Sequence, residues 1–183
     1  MSGRCATMNG VIALTAQSAT EGPWHALLVA PGRERRACIW MRLRALEPYW
    51  PRYRCEARWQ HRSAVQWRSV MPGYLFMSAP TNYRMVEEAP AVRNFLRNGD
   101  GDVANVANSD IDRIRQIEEA LNDNAVAAEQ GIPFKKGQSV WVLPLETVGE
   151  IQHIDSRRRV VVLVPMFGGH RSCTVAVEQI TAI

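Results

Sequence analysis

Apolar positions along the chain follow more than one rhythm. "WHALLVA" (24–30) is apolar at successive positions, as expected of a strand covered on both faces inside a sheet. "PGRE" then predicts a turn that places Glu34 in the first turn of a helix, where a carboxylate complements the helix dipole. Ile39, Leu43 and Leu46 recur at helical spacing and predict an amphipathic helix over 34–47 with that stripe inward. Arg35, Arg36, Arg42 and Arg44 fall on the remaining surface, and Pro48 ends the helix. "RYRCEARW" and "VQWRSV" read as strands about the turn "QHRSA", and Pro72-Gly73 turns the chain into "YLFMSA". In "VMPGYLFM" (70–77) both faces of the predicted strand are apolar, so something must cover the second one. "TNYRMVEEAP" predicts a short helix stopped at Pro90, and "VRNFLR" a strand closed by Asn98-Gly-Asp-Gly101. The clearest helix runs over 109–122. Ser109 and Asp112 resemble a capping box, and Ile111, Ile114, Ile117 and Leu121 form the inner stripe.

The rhythm changes after residue 122. Small and polar residues over 123–131 predict a flexible linker, and 132–183 breaks into short β-rich runs, "SVWVL", "VGEIQHI", "RVVVLVPM" and "SCTVAVEQI". Such runs separated by turn signals are the signature of a small barrel. Residues 1–21 hold no sustained period and read as a disordered tail. The expected fold is therefore α+β: an α/β sandwich of antiparallel sheet and helices over 22–122, the linker 123–131, and a small SH3-like β-barrel over 132–183.

Composition narrows the function classes. A hydrophobic content of 46% with 22% charged residues is ordinary for a soluble globular protein. No run approaches the ~20 apolar residues of a membrane span. The short apolar piece Val11–Leu14 is followed by polar Thr15, Gln17 and Ser18, so no leader peptide is expected and the cytoplasm is the expected location. Four cysteines without a C-x-x-C and four scattered histidines predict neither a disulfide framework nor a metal site, and no cofactor motif is present. No nucleophile elbow, H-E-x-x-H, P-loop or dinucleotide fingerprint occurs. Glu87-Glu88 and Glu118-Glu119 are neighbours on predicted helices and point about 100° apart, so they do not share a proton or metal. Binding, not catalysis, is expected. Between residues 33 and 68, ten arginines stand against three glutamates, whereas 103–131 holds two arginines and six acids. Arginine in place of lysine favours planar contact with phosphate or carboxylate, the plainer reading being a solvated face.

"WHALLVAPGRE", "VMPGYLFM", "VRNFLRNG" and the capped "SDIDRIRQIEEAL" occur in an order and spacing that resemble the N-terminal domain of the NusG family of transcription elongation factors. "FKKGQSVWVL", "VGEIQHID", "RRVVVLVPMFGG" and "CTVAVEQI" resemble the family's C-terminal KOW domain, with Gly149 closing its first β-turn and Phe167-Gly168 before the last strands. The resemblance spans 23–183 and implies a factor that grips the clamp helices of the RNA polymerase largest subunit, bridges the cleft, suppresses pausing and modulates elongation, termination or antitermination. By position it implies Leu28, Met71 and Tyr74 as an apolar depression for polymerase. It implies Arg33, Arg36, Asn82, Tyr83 and Arg84 as contacts to upstream or non-template DNA or to the polymerase gate loop.

For the KOW domain the resemblance implies Phe167 and Gly168 as partner-binding residues, the partner being Rho or a small-subunit ribosomal protein. The first KOW loop, "LPLETVG", lacks the family's Gly-Pro-Phe, and Arg157-Arg158-Arg159 adds a basic knob that is either an RNA contact or a solvated turn. Specialised members of the family fold the KOW segment as a helical hairpin over the polymerase site. The β-branched run Val160–Val164 opposes that here and predicts an open molecule whose second domain is always a barrel. A monomer without catalysis, cofactor or membrane contact is expected. The competing reading is a KOW-containing RNA-binding protein acting on the ribosome, which needs the basic surface but no apolar depression.

Overall fold

The computed structural model describes residues 23–59, 62–80, 82–123, 133–155 and 158–183. The expected tail lies outside these, as does nearly all of the expected linker. Strands β1 (Trp24–Val29), β4 (Tyr74–Ser78), β5 (Val92–Phe95) and β6 (Asn105–Val106) form one antiparallel sheet in which β1 pairs with the other three. Strands β2 (Arg52–Trp59) and β3 (Arg62–Ser69) form a separate two-stranded ribbon. Three helices complete this part: α1 (Glu34–Arg42), α2 (Tyr83–Glu87) and α3 (Asn108–Asp123). Among the described residues no helix is long and apolar enough to cross a membrane.

Alternation along β1 and β4 divides the core in two. Leu27, Val29, Leu75, Met77 and Phe95 pack under α1 and α2 with Ala37, Cys38, Met41 and Val86. Ala26 and Phe76 face the opposite way, with the α3 stripe Ile111, Ile114, Ile117 and Leu121. That stripe is the predicted one, although α3 starts at Asn108, so Ser109 lies inside its first turn instead of capping it.

Helix α1 corrects the predicted phase. Its buried residues are Glu34, Ala37, Cys38 and Met41, while Ile39 is 50% and Leu43 78% exposed. The inner stripe has the expected i, i+3, i+4, i+7 spacing but begins on a glutamate. The Glu34 carboxylate is drawn inward because Oε1 accepts a hydrogen bond from the Gly73 backbone N–H at 2.8 Å, which ties the helix to the Pro72-Gly73 turn. A buried carboxylate with a committed donor outweighed two exposed aliphatics, and hydrophobicity alone could not register it.

The C-terminal part is one five-stranded antiparallel sheet in the order β10-β9-β8-β7-β11, built from β7 (Ser139–Val142), β8 (Thr147–Asp155), β9 (Arg159–Met166), β10 (Gly169–Ala176) and β11 (Ile180–Ala182). The valine run is strand, as its β-branching predicted. Gly149 does not close a turn; it lies within β8 opposite Val140. A Cβ there would sit 2.8 Å from Val164 Cγ1 and 3.2 Å from the Leu163 carbonyl oxygen, so close strand packing is what requires glycine.

Candidate binding face and the sheet that covers it

The turn before β4 sets the geometry of the second sheet face. Gly73 adopts φ +86°, and its carbonyl accepts the Val29 N–H at 2.8 Å. A Cβ on Gly73 would approach the Val29 oxygen to 3.2 Å, so the tight closure needs glycine both for φ and for space. Val70 and Met71 are thereby pressed fully into the interior, with Tyr74 and Leu28 half-buried at its edge.

What covers this face is the chain's own C-terminal sheet. The β9–β10 turn brings the Phe167 ring to 6.4 Å from Tyr74 and 6.0 Å from Phe76. The Arg171 guanidinium lies 5.8 Å from the Tyr74 ring centroid. Further along β10, the Thr174 N–H donates to the Val70 carbonyl at 2.9 Å. Arg159, 4% exposed, lies over the Tyr53 ring at 4.6 Å and donates from Nη2 to the Arg54 carbonyl at 2.8 Å. Its Nη1 has no hydrogen-bond partner among the described residues. On the α3 side, Arg113 pairs with Glu146, and Gln179 Nε2 donates to the Gln116 carbonyl at 3.2 Å. Burial raises the pKa of both phenols at this joint, Tyr53 and Tyr74, opposed in part by Arg159 and Arg171 respectively.

The expectation of an open molecule is thus corrected: the apolar depression is occupied from within the chain. The physical reason is visible in the residues, since Met71, Tyr74 and Phe76 would otherwise leave a contiguous apolar patch in water. Phe167 carries φ +52° and Gly168 φ +72°, the left-handed pair of a two-residue type I′ turn, in which Asn-Gly is the favoured sequence. Phenylalanine in that conformation costs about 1–2 kcal/mol. Its ring contacts with Tyr74 and Phe76 offset that cost.

Met71, Tyr74 and Phe167, assigned by position to different partners, thus belong to one joint, with Gly168 beside Phe167 in the turn. Sequence reading missed Phe76, Val70, Arg159 and Thr174. The available signal was the Phe-Gly pair in a hairpin turn. The predicted basic knob is corrected too: the Arg158 side chain is 16% exposed and bonds Glu178 at 2.7 Å, Arg159 is buried, and Arg157 lies outside the described residues.

The other candidates sit on the side covered by α1 and α2. Asn82 caps α2, its Oδ1 accepting the Met85 N–H at 3.1 Å. His25 Nδ1 lies 3.1 Å from the Ala104 carbonyl, which can only accept, so Nδ1 carries a proton, and Nε2 lies 3.0 Å from the Tyr83 hydroxyl. The Tyr83 ring lies 5.1 Å from that of Phe95, and Tyr83 is 38% exposed. Arg84 is largely exposed, 3.6 Å from Glu88. Arg33 and Arg36 are exposed on the first turn of α1.

The architecture is thus an antiparallel sheet with α1 and α2 on one face, α3 and a separate five-stranded sheet on the other, and a two-stranded ribbon beside it. The family model for transcription termination factor nusG matches residues 22–115, more than half the chain, and the chain belongs to the NusG family of transcription factors. Thermotoga maritima NusG, solved in a study of its domain interaction, is 21% identical over 88% of this chain and 97% of its own, with a TM-score of 0.55. The MjSpt4:Spt5 complex in conformation A is 15% identical over 87% of this chain and 97% of its own, with a TM-score of 0.32. In conformation B it is 16% identical over 87% and 96%, with a TM-score of 0.29. The search of curated proteins returned no match.

Proposed function

We propose that this NusG-family factor modulates transcription elongation by binding RNA polymerase through the face around Leu28, Met71 and Tyr74, and that its C-terminal sheet is a removable cover for that face. The observation that carries this reading is the Phe167 ring on Tyr74 and Phe76, held by an aromatic residue in a turn conformation that disfavours it. A domain interaction is on record for Thermotoga maritima NusG. In this reading 22–122 and 132–183 are two domains, the second an SH3-like KOW barrel. A hydrophobic strip of this kind takes a helical partner by a few anchors, each worth ~1.5–3 kcal/mol when fully buried.

The joint is built to open. Desolvating the Arg159 guanidinium costs several kcal/mol unless its donors are met, and one of its two terminal nitrogens meets no partner among the described residues. Covering the face also occupies Phe167, so polymerase binding and capture of a second partner, Rho or a small-subunit ribosomal protein, rise together on opening. Linkage makes this reciprocal: a KOW partner raises affinity for polymerase by the factor that polymerase raises affinity for that partner. Arg33, Arg36, Tyr83 and Arg84 remain exposed for phosphate, base or gate-loop contact in either state, whereas Asn82 also caps α2.

The test is in vitro transcription on a pausing template with purified polymerase. The wild-type chain shortens pause dwell, and Tyr74→Lys, at a half-buried edge position, removes that effect while circular dichroism stays native. Unchanged antipausing in a folded Tyr74→Lys protein would reject the face.

A further inference from the structure

Two hollows adjoin at the start of α1, the second reaching the C-terminal sheet at Val161 and Thr174. One, of 500 Å³, lies along the outer side of the helix; the other, of 680 Å³, runs beside β3; Gly32 and Arg35 line both. Four large apolar side chains stand exposed in them, Ile39 and Leu43 in the first, Val65 and Trp67 in the second. Monomeric proteins seldom leave such a group contiguous without a use for it. Arg33, Arg35, Arg36 and Arg68 edge the same trough. The single acidic residue in either lining is Glu34, whose carboxylate is buried and bonded to the Gly73 N–H.

We propose that this trough is a docking site for an amphipathic segment of a partner protein whose apolar face is bordered by aspartate and glutamate. The choice of occupant follows from charge and shape. A second copy would bring guanidinium against guanidinium, which is repulsive. A nucleic acid would use the arginines and Trp67 but gains nothing from Ile39, Leu43 and Val65, which have no ring to stack on a base. An acidic amphipathic segment satisfies both sets at once, aliphatics in the hollow and carboxylates on the planar guanidinium forks along the rim. The α1 hollow is lined by first-domain residues alone, whereas the hollow beside β3 is completed by Val161 and Thr174 of the C-terminal sheet.

The probe is a fluorescein-labelled peptide of about 16 residues, roughly four helical turns, with leucine at i, i+4, i+7 and i+11, glutamate at the positions bordering them and alanine elsewhere. Anisotropy titration with the full chain gives saturable binding. The double variant Ile39→Ser/Leu43→Ser weakens it about tenfold or more, as does Arg35→Glu/Arg36→Glu, and the same peptide with its leucines replaced by serine binds about tenfold more weakly. Ile39 and Leu43 are exposed, so the serine variant keeps its native circular dichroism. Equal binding of the leucine-free peptide, or full affinity in the folded serine variant, overturns the proposal. So does a single-stranded oligothymidylate that binds more tightly and is weakened by the same variants, or a dimer in sedimentation that Leu43→Ser abolishes.

Discussion

Phe167 sits where a hairpin of this kind prefers asparagine, and that makes it separable from the fold that carries it. Phe167→Asn relieves the left-handed strain and suits a type I′ turn, so the C-terminal sheet keeps or gains stability while the contacts to Tyr74 and Phe76 disappear. Chemical shifts of the β9–β10 residues should remain native and those around Tyr74 should move. Gly149→Ala acts in the opposite way: the new methyl strikes Val164 and the Leu163 carbonyl inside the sheet, and overpacking of this kind costs about 1–3 kcal/mol. A thermal melt of that variant should fall by several degrees. Burial pushes the Cys38 thiol up to about 11 and the Cys173 thiol up to about 12. Neither is a thiolate at pH 8, so mass-spectrometric mapping after iodoacetamide should find both unmodified in native protein and modified in guanidinium.

At the level of elements, some were legible because burial and hydrophobicity agreed. The α3 stripe is one such case, every predicted position being buried. The valine run of β9 is another, since β-branched side chains and strand backbone reinforce each other. Helix α1 was misread by one face because its inner stripe opens on Glu34, whose burial depends on a glycine N–H 39 positions away in sequence. Such a long-range hydrogen bond leaves no periodic trace. For the same reason Ile39 and Leu43, assumed to be core, emerged as surface, and Gly149 emerged as a packing glycine instead of a turn glycine. Glu34→Leu should then destabilise more than its gain in hydrophobicity suggests, by about 1–3 kcal/mol, because the Gly73 N–H is left buried without an acceptor. Urea titration with an unchanged m-value would check it.

For the whole molecule, the sequence pointed to both apolar faces of "VMPGYLFM" but not to what lies on the second. That information resides in contacts between residues about ninety positions apart, Tyr74 and Phe167, whose pairing no local pattern encodes. The closed arrangement carries its own pH dependence. Burial raises the Tyr53 and Tyr74 pKa values, so when docked they retain protons at a pH where an exposed tyrosine, near 10, begins to lose them. Above that pH the open form binds fewer protons than the closed one, and rising pH therefore favours opening. Small-angle scattering should show the radius of gyration growing between pH 9 and about 11 before helical circular dichroism is lost.

The account stands on the claim that the C-terminal sheet occludes a polymerase-binding face. Its most direct test is the equilibrium affinity of purified core RNA polymerase for the full chain and for Phe167→Asn, measured side by side. The covered face predicts at least about fivefold tighter binding by Phe167→Asn, because opening no longer has to break the Tyr74 and Phe76 contacts. Equal or weaker binding by a folded Phe167→Asn protein would contradict it.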